Sequence, residues 1–288
     1  RPGAQARRAR GVSTARDVLV AAVARLRAAG VPDAAGDARR LMAHALDCAP
    51  ARLMLVLPEP LPGVAAARFE AAIAARAARR PVAQIIGARD FFGRRFRVTP
   101  DVLDPRPETE TLVRAALEVP FATLIDLGTG SGAILVTLLA ERPEGRGIGT
   151  DLSAAALGVA RENAAALGVQ DRARFVCAHW YEGLATRADL IVSNPPYIAT
   201  AEIAGLDPEP RDHEPRMALT DGGDGLAAYR AIAAGARAHL CAGGRLMVEI
   251  GPTQAEAVSA LMRGAGLRDI ALRRDLDARA RVISARAP

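Results

Sequence analysis

From residue 122 onward, short apolar β-prone segments alternate with helical ones, and this alternation constrains the fold more than any other feature of the chain. "ATLIDL" reads as a strand and 133–141 as a helix. "RGIGT" is a strand, followed by a helix from Ser153 to Leu167 that Gly168 ends. "ARFVC" and "ADLIVS" are strands. A helix around Leu226–Leu240 leads to the strand "GRLMVEI", and a helix from Thr253 to Gly264 precedes the strands "RDIALRR" and "RVISA". Strands joined through helices imply an α/β fold, a parallel sheet with helices on both faces. Such sheets bind ligands beyond the carboxyl ends of their strands, where the strand order reverses. Functional residues are therefore expected at those ends.

The first eighty residues have a different texture. Val18, Leu19, Ala22, Val23 and Leu26 recur at helical spacing, as do Leu41, Met42, Ala45 and Leu46. Gly30 and Pro32 break the first run, Asp33 can cap the next, and a further helical run covers 62–79. Residues 1–80 thus read as a small helical domain without a catalytic cluster. Residues 81–104 begin "PVAQIIGARDFFGRRFRVTPDV", punctuated by Gly87, Gly93 and Pro100, and read as a β-hairpin joining two domains. Residues 105–288 form the larger domain. Pro107 suits a first helical position, and Glu108 and Glu110 suit a first turn.

Half of the 288 residues are hydrophobic but only 3% are aromatic, so the core must be built from Ala, Val, Leu and Ile. The net charge of +6 points only weakly to an acidic partner. Every basic residue is arginine, and with the abundance of alanine this reads as bias from a GC-rich coding sequence. Cys48, Cys177 and Cys241 are too scattered for a metal site or a disulfide framework, which fits a reducing cytoplasm. No apolar run approaches the roughly 20 residues that span a bilayer, so no membrane partner is expected. The basic start, "RPGAQARRARGVSTARD", reads as a disordered tail rather than a transit-peptide remnant. A chain that opens on Arg1 instead of Met is expected to have been trimmed.

The first strand runs into Asp126-Leu127-Gly128-Thr129-Gly130-Ser131-Gly132. Glycine at every second position lets the backbone turn tightly and approach a ligand closely. The spacing is not that of the dinucleotide fingerprint, and no Walker lysine follows. Asp151 ends the second strand, where a carboxylate can accept both hydroxyls of a ribose; its plainer role would be to start the next helix, which Ser153 could also do. Trp180, the only tryptophan, lies past the third strand and can pack against a purine or anchor a core. Together these features resemble the class I S-adenosylmethionine-dependent methyltransferases over residues 122–288. The resemblance implies a Rossmann-like domain that uses S-adenosyl-L-methionine and releases S-adenosyl-L-homocysteine. It places Gly128, Thr129, Gly130, Ser131 and Gly132 on the methionine part, Asp151 on the ribose and Trp180 near the adenine, with Asn194, at the end of the fourth strand, also against the cofactor.

The fourth strand ends in Asn194-Pro195-Pro196-Tyr197. An amide nitrogen is a poor nucleophile because its lone pair is delocalised. Two acceptors on its hydrogens would draw density to nitrogen and orient it. Asn194 offers a side-chain carbonyl and Pro195 a backbone carbonyl. Prolines stiffen the loop, and Tyr197 offers a flat wall. Such catalysis rests on positioning and requires neither acid, base nor metal. His44, His179, His213 and His239 share no metal-ligand spacing, and His179, the one near the site, reads as loop filling. The tetrapeptide is similar to that of methyltransferases acting on planar NH2 groups, either adenine N6 or a glutamine side chain.

Two flanking segments separate those substrates. "QIIGARDFFGRRFRVTPDVLDPRPETETLV", with its core Pro105 to Glu110, resembles the bacterial release-factor glutamine methyltransferases (the HemK/PrmC family). So does "HEPRMALTDGGDGLAAYRAI", with Glu214-Pro215, Ala218-Leu219, Gly222-Gly223 and Asp224-Gly225-Leu226. Ribosomal-protein glutamine methyltransferases differ at the first segment. The resemblance implies methyl transfer to the Gly-Gly-Gln glutamine of class 1 peptide chain release factors. It places that glutamine on Asn194, Pro195, Pro196 and Tyr197, and the release factor on the helical domain. Arg106 and Glu108 would close over the site, although a helix start explains them equally. Asp104 replaces the family's usual apolar residue, which questions the packing of the hairpin, and "RDLDARARVISAR" lacks a glycine often found there. An adenine methyltransferase would need to grip phosphates and flip a base. No target-recognition domain and no basic run beyond the tail is present, so no stable nucleic-acid binding is expected. A non-enzymatic binding module is disfavoured by the two intact motifs.

Overall fold

The computed structural model describes residues 13–288, so most of the basic tail falls outside the described residues. The chain divides into two compact units, 1–86 and 87–288.

In the first unit, α1 (Ala15–Ala28) starts at a capping box: Thr14 Oγ1 accepts from the Asp17 amide, and the Asp17 carboxylate accepts from the Thr14 amide. Asp33 caps α2 (Ala34–Ala45) through the Gly36 amide at 3.0 Å. Helices α3 (Leu53–Val56), α4 (Gly63–Ala77) and α5 (Val82–Ile86) complete the unit. Leu26, Leu41, Met42, Phe69 and Ile73 form its core. Asp37 is buried beside it and receives Arg76 Nε at 2.6 Å. A carboxylate at that depth must be paired. Residues 82–86 form a helical turn rather than part of a hairpin: the Pro81 carbonyl accepts the Ile85 amide, and Gly87, at φ +75°, ends the turn.

The hairpin is consequently short, with β1 (Ala88–Phe91) antiparallel to β2 (Arg94–Arg97). It belongs to the second unit. Phe91 and Phe96 meet edge to face, 6.0 Å apart, and both enter that unit's core. A 3₁₀ turn at Pro107–Thr109 opens into α6 (Glu110–Leu117). Then follow β3 (Thr123–Leu127), α7 (Ala133–Glu141), β4 (Arg146–Asp151), α8 (Ala154–Ala166), β5 (Ala173–Cys177) and β6 (Ala188–Ser193). Short helices α9 (Pro208–His213) and α10 (Arg216–Leu219) precede α11 (Ala227–His239), β7 (Leu240–Glu249), α12 (Ala255–Gly264), β8 (Arg268–Arg274) and β9 (Ala280–Arg286).

The seven strands lie in the order β5-β4-β3-β6-β7-β9-β8. Neighbours from β5 to β7 are parallel, and the order reverses between β3 and β6. Strand periodicity feeds a core on each face: Leu124 points into one, Ile125 and Leu127 into the other. No helix among the described residues is long and apolar enough to cross a membrane.

Of the last two strands, β9 runs against the others. β9 is antiparallel to both β7 and β8, because residues 275–279 are too few for a crossover. The Asp275 carboxylate builds that turn, accepting the Asp277 amide at 3.0 Å, the Arg279 amide at 2.9 Å and the Arg281 guanidinium at 3.1 Å. Ala278 sits there at φ +60°, where a Cβ costs about 1–2 kcal/mol. Ala278→Gly relieves that strain but loosens the unfolded chain by about 0.4–1 kcal/mol. Chemical denaturation is expected to show a net gain of about 0.5 kcal/mol; a loss of stability would refute the strain.

Candidate active site

The loops after β3, β4, β5 and β6 open onto one cavity. The glycine run forms its floor and is pinned to the strand ends. The Thr129 amide donates to the Thr150 carbonyl at 2.9 Å, and Thr129 Oγ1 donates to Asp126 at 2.7 Å. Asp126 is fully buried and also accepts the Leu135 amide, while its Oδ1 has no partner. Burial pushes its carboxyl up to about 7 despite the Thr129 hydroxyl and the Leu135 amide. Gly130, at φ +55°, is the position where the backbone lies bare to the cavity: a Cβ there would meet no atom within 4 Å. Gly128, Thr129 and Ser131 also line the space. Gly132 does not; it is the N-cap of α7 and packs against Ala160.

Asp151 lines the same cavity. Its Oδ2 accepts the Gly130 amide and its Oδ1 the Ser153 amide, both at 2.9 Å. The carboxylate keeps acceptor capacity for a ligand hydroxyl. Burial raises its pKa, and the amides oppose the rise. The cap of α8 is Ser153, through the Ala156 amide, rather than Asp151. Trp180, at φ +53°, stands against Gly128, with His179 tilted beside it at 5.7 Å, and both line the cavity.

At the reversal point, Ser193 Oγ donates to the Leu127 carbonyl at 2.7 Å and ties β6 to β3. The next residue, Asn194, reaches the cavity. Its Nδ2 donates to Thr109 Oγ1 at 3.2 Å, so the amide end is held and the carbonyl end is left available. Pro196 lines the cavity, whereas Pro195 and Tyr197 do not. The Tyr197 backbone is gripped from behind: its carbonyl accepts Gln254 Nε2 at 2.9 Å. Gln254 also binds the Gly225 carbonyl and the Gly251 amide. Gly225, at φ +76°, passes so close that a Cβ would collide with the Tyr197 carbonyl oxygen. Burial and the neighbouring Glu249 push the Tyr197 phenol up to about 12.

Sequence reading missed Thr109, Glu249 and Gln254. A glutamate ending a buried apolar strand was the available signal for Glu249; nothing in the sequence marked Gln254.

Above the floor, Arg106 binds both carboxylate oxygens of Glu214, at 2.8 and 2.6 Å. Burial raises the pKa of Glu214 and Arg106 opposes the rise. This pair joins the loop before α6 to the one after α9. Asp104, also buried, has no hydrogen-bond partner on Oδ1 but faces Arg89 of the hairpin at 3.9 Å, so the hairpin itself balances the unusual charge. Glu108 is exposed and lies off the cavity wall.

A sheet reversing beside a glycine loop, a strand-end carboxylate and Asn-Pro-Pro-Tyr define a class I, Rossmann-like methyltransferase. A methyltransferase from Pyrococcus furiosus shares this fold, with a TM-score of 0.53 at 15% identity over 68% of this chain and 90% of that one. Residues 17–87 match the family described as the PrmC N-terminal domain, and residues 104–205 match the methyltransferase small domain. The release factor glutamine methyltransferase of Cereibacter sphaeroides is 63% identical over 95% of this chain and 99% of its own length. That of Burkholderia pseudomallei is 47% identical over 88% and 92%. The chain belongs to the release factor glutamine methyltransferase family.

Proposed function

We propose that this protein transfers a methyl group from S-adenosyl-L-methionine to the N5 amide nitrogen of the Gly-Gly-Gln glutamine of class 1 release factors, in the cytoplasm. The observation that carries the reading is Asn194, tethered by its amide end at the strand reversal with its carbonyl available to a substrate. The bare backbone at Gly130 and the remaining acceptor capacity of Asp151 fit the methionine and ribose parts of the cofactor. When bound, the cofactor supplies an electrophilic methyl group. The Asn194 carbonyl accepts an amide hydrogen of the glutamine and draws density onto its nitrogen. Pro195 and Pro196 keep the loop from collapsing. Tyr197, held by Gln254, braces that loop from behind. Trp180 flanks the adenine, and the helical unit contacts the release factor. The adenine-N6 and ribosomal-protein readings gain no support from the relatives, which are named for release factor glutamine methylation.

The test is mass spectrometry of a release factor incubated with enzyme and cofactor. One added methyl on the glutamine is expected, and none on a Gln→Ala variant of the motif. Label in duplex DNA, or on the alanine variant, would overturn the assignment.

The ribose contact has its own test. Asp151→Ala loses its bonds to the loop as well as those to ribose, each charged bond being worth about 1.5–3 kcal/mol. Calorimetry is expected to show cofactor affinity down at least about thirtyfold, with Asp151→Asn milder. Affinity within about twofold of the parent would contradict the role.

A further inference from the structure

The segment Asp104-Pro105-Arg106-Pro107 sets two charged side chains on one wall. A residue that precedes a proline is pushed out of the helical region, and Arg106 sits in extended backbone at φ −92° and ψ 141°. Residues two apart in an extended segment face the same way. Asp104 and Arg106 accordingly both line the cavity. Asp104 is 6% exposed, and no hydrogen-bond donor reaches its Oδ1. Arg89 faces that oxygen at 3.9 Å, which balances charge but is too far for a hydrogen bond. The buried carboxylate therefore lacks a donor to offset its lost hydration. Arg106 has the converse surplus. It holds Glu214 through Nη2 alone, at 2.8 and 2.6 Å, which leaves the Nε and Nη1 hydrogens for a ligand.

We propose that Asp104 and Arg106 together grip the amino-acid end of the cofactor: the Asp104 carboxylate accepts from its ammonium, and Arg106 donates from Nε and Nη1 to its carboxylate. A guanidinium edge matches a carboxylate with two parallel bonds. The charge of the wall favours this ligand group. Arg106 is paired with Glu214, and Arg89 faces Asp104, so the four side chains are balanced. A zwitterion adds one charge of each sign and buries no net charge. A peptide unit of the protein substrate offers a donor and an acceptor as well, but its partial charges offset a buried carboxylate less than an ammonium does. Burial raises the Asp104 carboxyl above its ordinary range, and Arg89 and Arg106 oppose the rise. An ammonium beside it acts in the same direction as those arginines. The glycine run and Asp151 line the same cavity, so one ligand can meet all of them. This inference rests on the cofactor reading above and extends it to the two charged groups of the methionine part. It gives a function to the aspartate that stands where the family usually has an apolar residue.

Calorimetry on the full chain tests it with three probes. S-adenosylhomocysteine carries both charged groups, its decarboxylated form keeps only the amino group, and methylthioadenosine lacks the whole amino-acid end. Asp104→Leu removes the acceptor, and Asp104→Asn removes the charge while keeping the shape. Asp104→Leu is expected to weaken S-adenosylhomocysteine at least about tenfold, and Asp104→Asn somewhat less. Methylthioadenosine affinity stays within about twofold of the parent in both variants. The decarboxylated probe binds the parent at least about tenfold more weakly than S-adenosylhomocysteine, because Arg106 loses its partner. It still loses affinity on Asp104→Leu, because its ammonium is the group that Asp104 holds.

S-adenosylhomocysteine affinity within about twofold of the parent in a folded Asp104→Leu overturns the proposal. So does an equal loss for methylthioadenosine, which would mark a general disturbance of the cavity. So does a decarboxylated probe that binds the parent as tightly as S-adenosylhomocysteine. Unchanged cofactor affinity with a raised KM for the release factor would give the wall to the peptide and overturn it as well. If Asp104→Leu fails to fold, Asp104→Asn and the probe series on the parent decide the matter. A parent that binds no S-adenosylhomocysteine would sink the cofactor reading itself; binding that is indifferent to the variants and to the lost carboxylate sinks this proposal alone.

Discussion

Asn194→Ala is expected to lower kcat by at least about a hundredfold, the scale seen when a single preorganised polar group is removed from a reacting centre. In the proposed mechanism its carbonyl accepts a hydrogen of the substrate amide. The substitution also leaves Thr109 without its donor. Cofactor affinity and release-factor binding should change little, because the glycine loop and the helical unit are untouched. Asn194→Asp should be nearly as slow: an ionised carboxylate cannot donate to Thr109, and it sets a negative charge beside the reacting methyl. Radiolabel transfer to the release factor measures both variants. Activity in the alanine variant within about threefold of the parent would remove Asn194 from the chemistry.

Gly130→Val is expected to abolish measurable cofactor binding in a protein that still folds. The branched side chain would project into open cavity, where no protein atom lies within 4 Å. The fold therefore has room for it and a ligand does not. A non-glycine residue at φ +55° adds strain of about 1–2 kcal/mol, which a domain with a typical stability of about 5–15 kcal/mol survives. Circular dichroism should look native while calorimetry shows no heat of binding. Unchanged affinity in the folded variant would mean that the cofactor passes elsewhere.

What could be read from the sequence was what lies within a few residues of a strand end. The run from Asp126 to Gly132, the carboxylate at Asp151 and the tetrapeptide at Asn194 each sit in one short segment, and the strand-helix alternation says which segments meet. The reversed direction of β9 was readable in principle from its five-residue connection to β8, but alternation upstream masked it. Residues 82–86 look β-prone, yet Pro81 and Gly87 delimit a helical turn. The supports of the site were out of reach for a different reason. Thr109 meets Asn194 across 85 residues, Gln254 meets Tyr197 across 57, and Arg106 meets Glu214 across 108. Periodicity has nothing to say about such pairs; only the sheet order brings them together.

Those separations bear on how the molecule acquires its activity. The Ser193–Leu127 bond at the strand reversal closes 66 residues, and the tether on Asn194 closes more. Loop-closure entropy must be met before such contacts return any stability, and parallel pairings of this kind form slowly. In refolding, helical signal should therefore appear first and the ability to bind cofactor last. A ligand that recognises only the finished site then draws the population forward by mass action. For a newly made chain, the cofactor would be both the reagent and the last stabiliser of the fold that uses it.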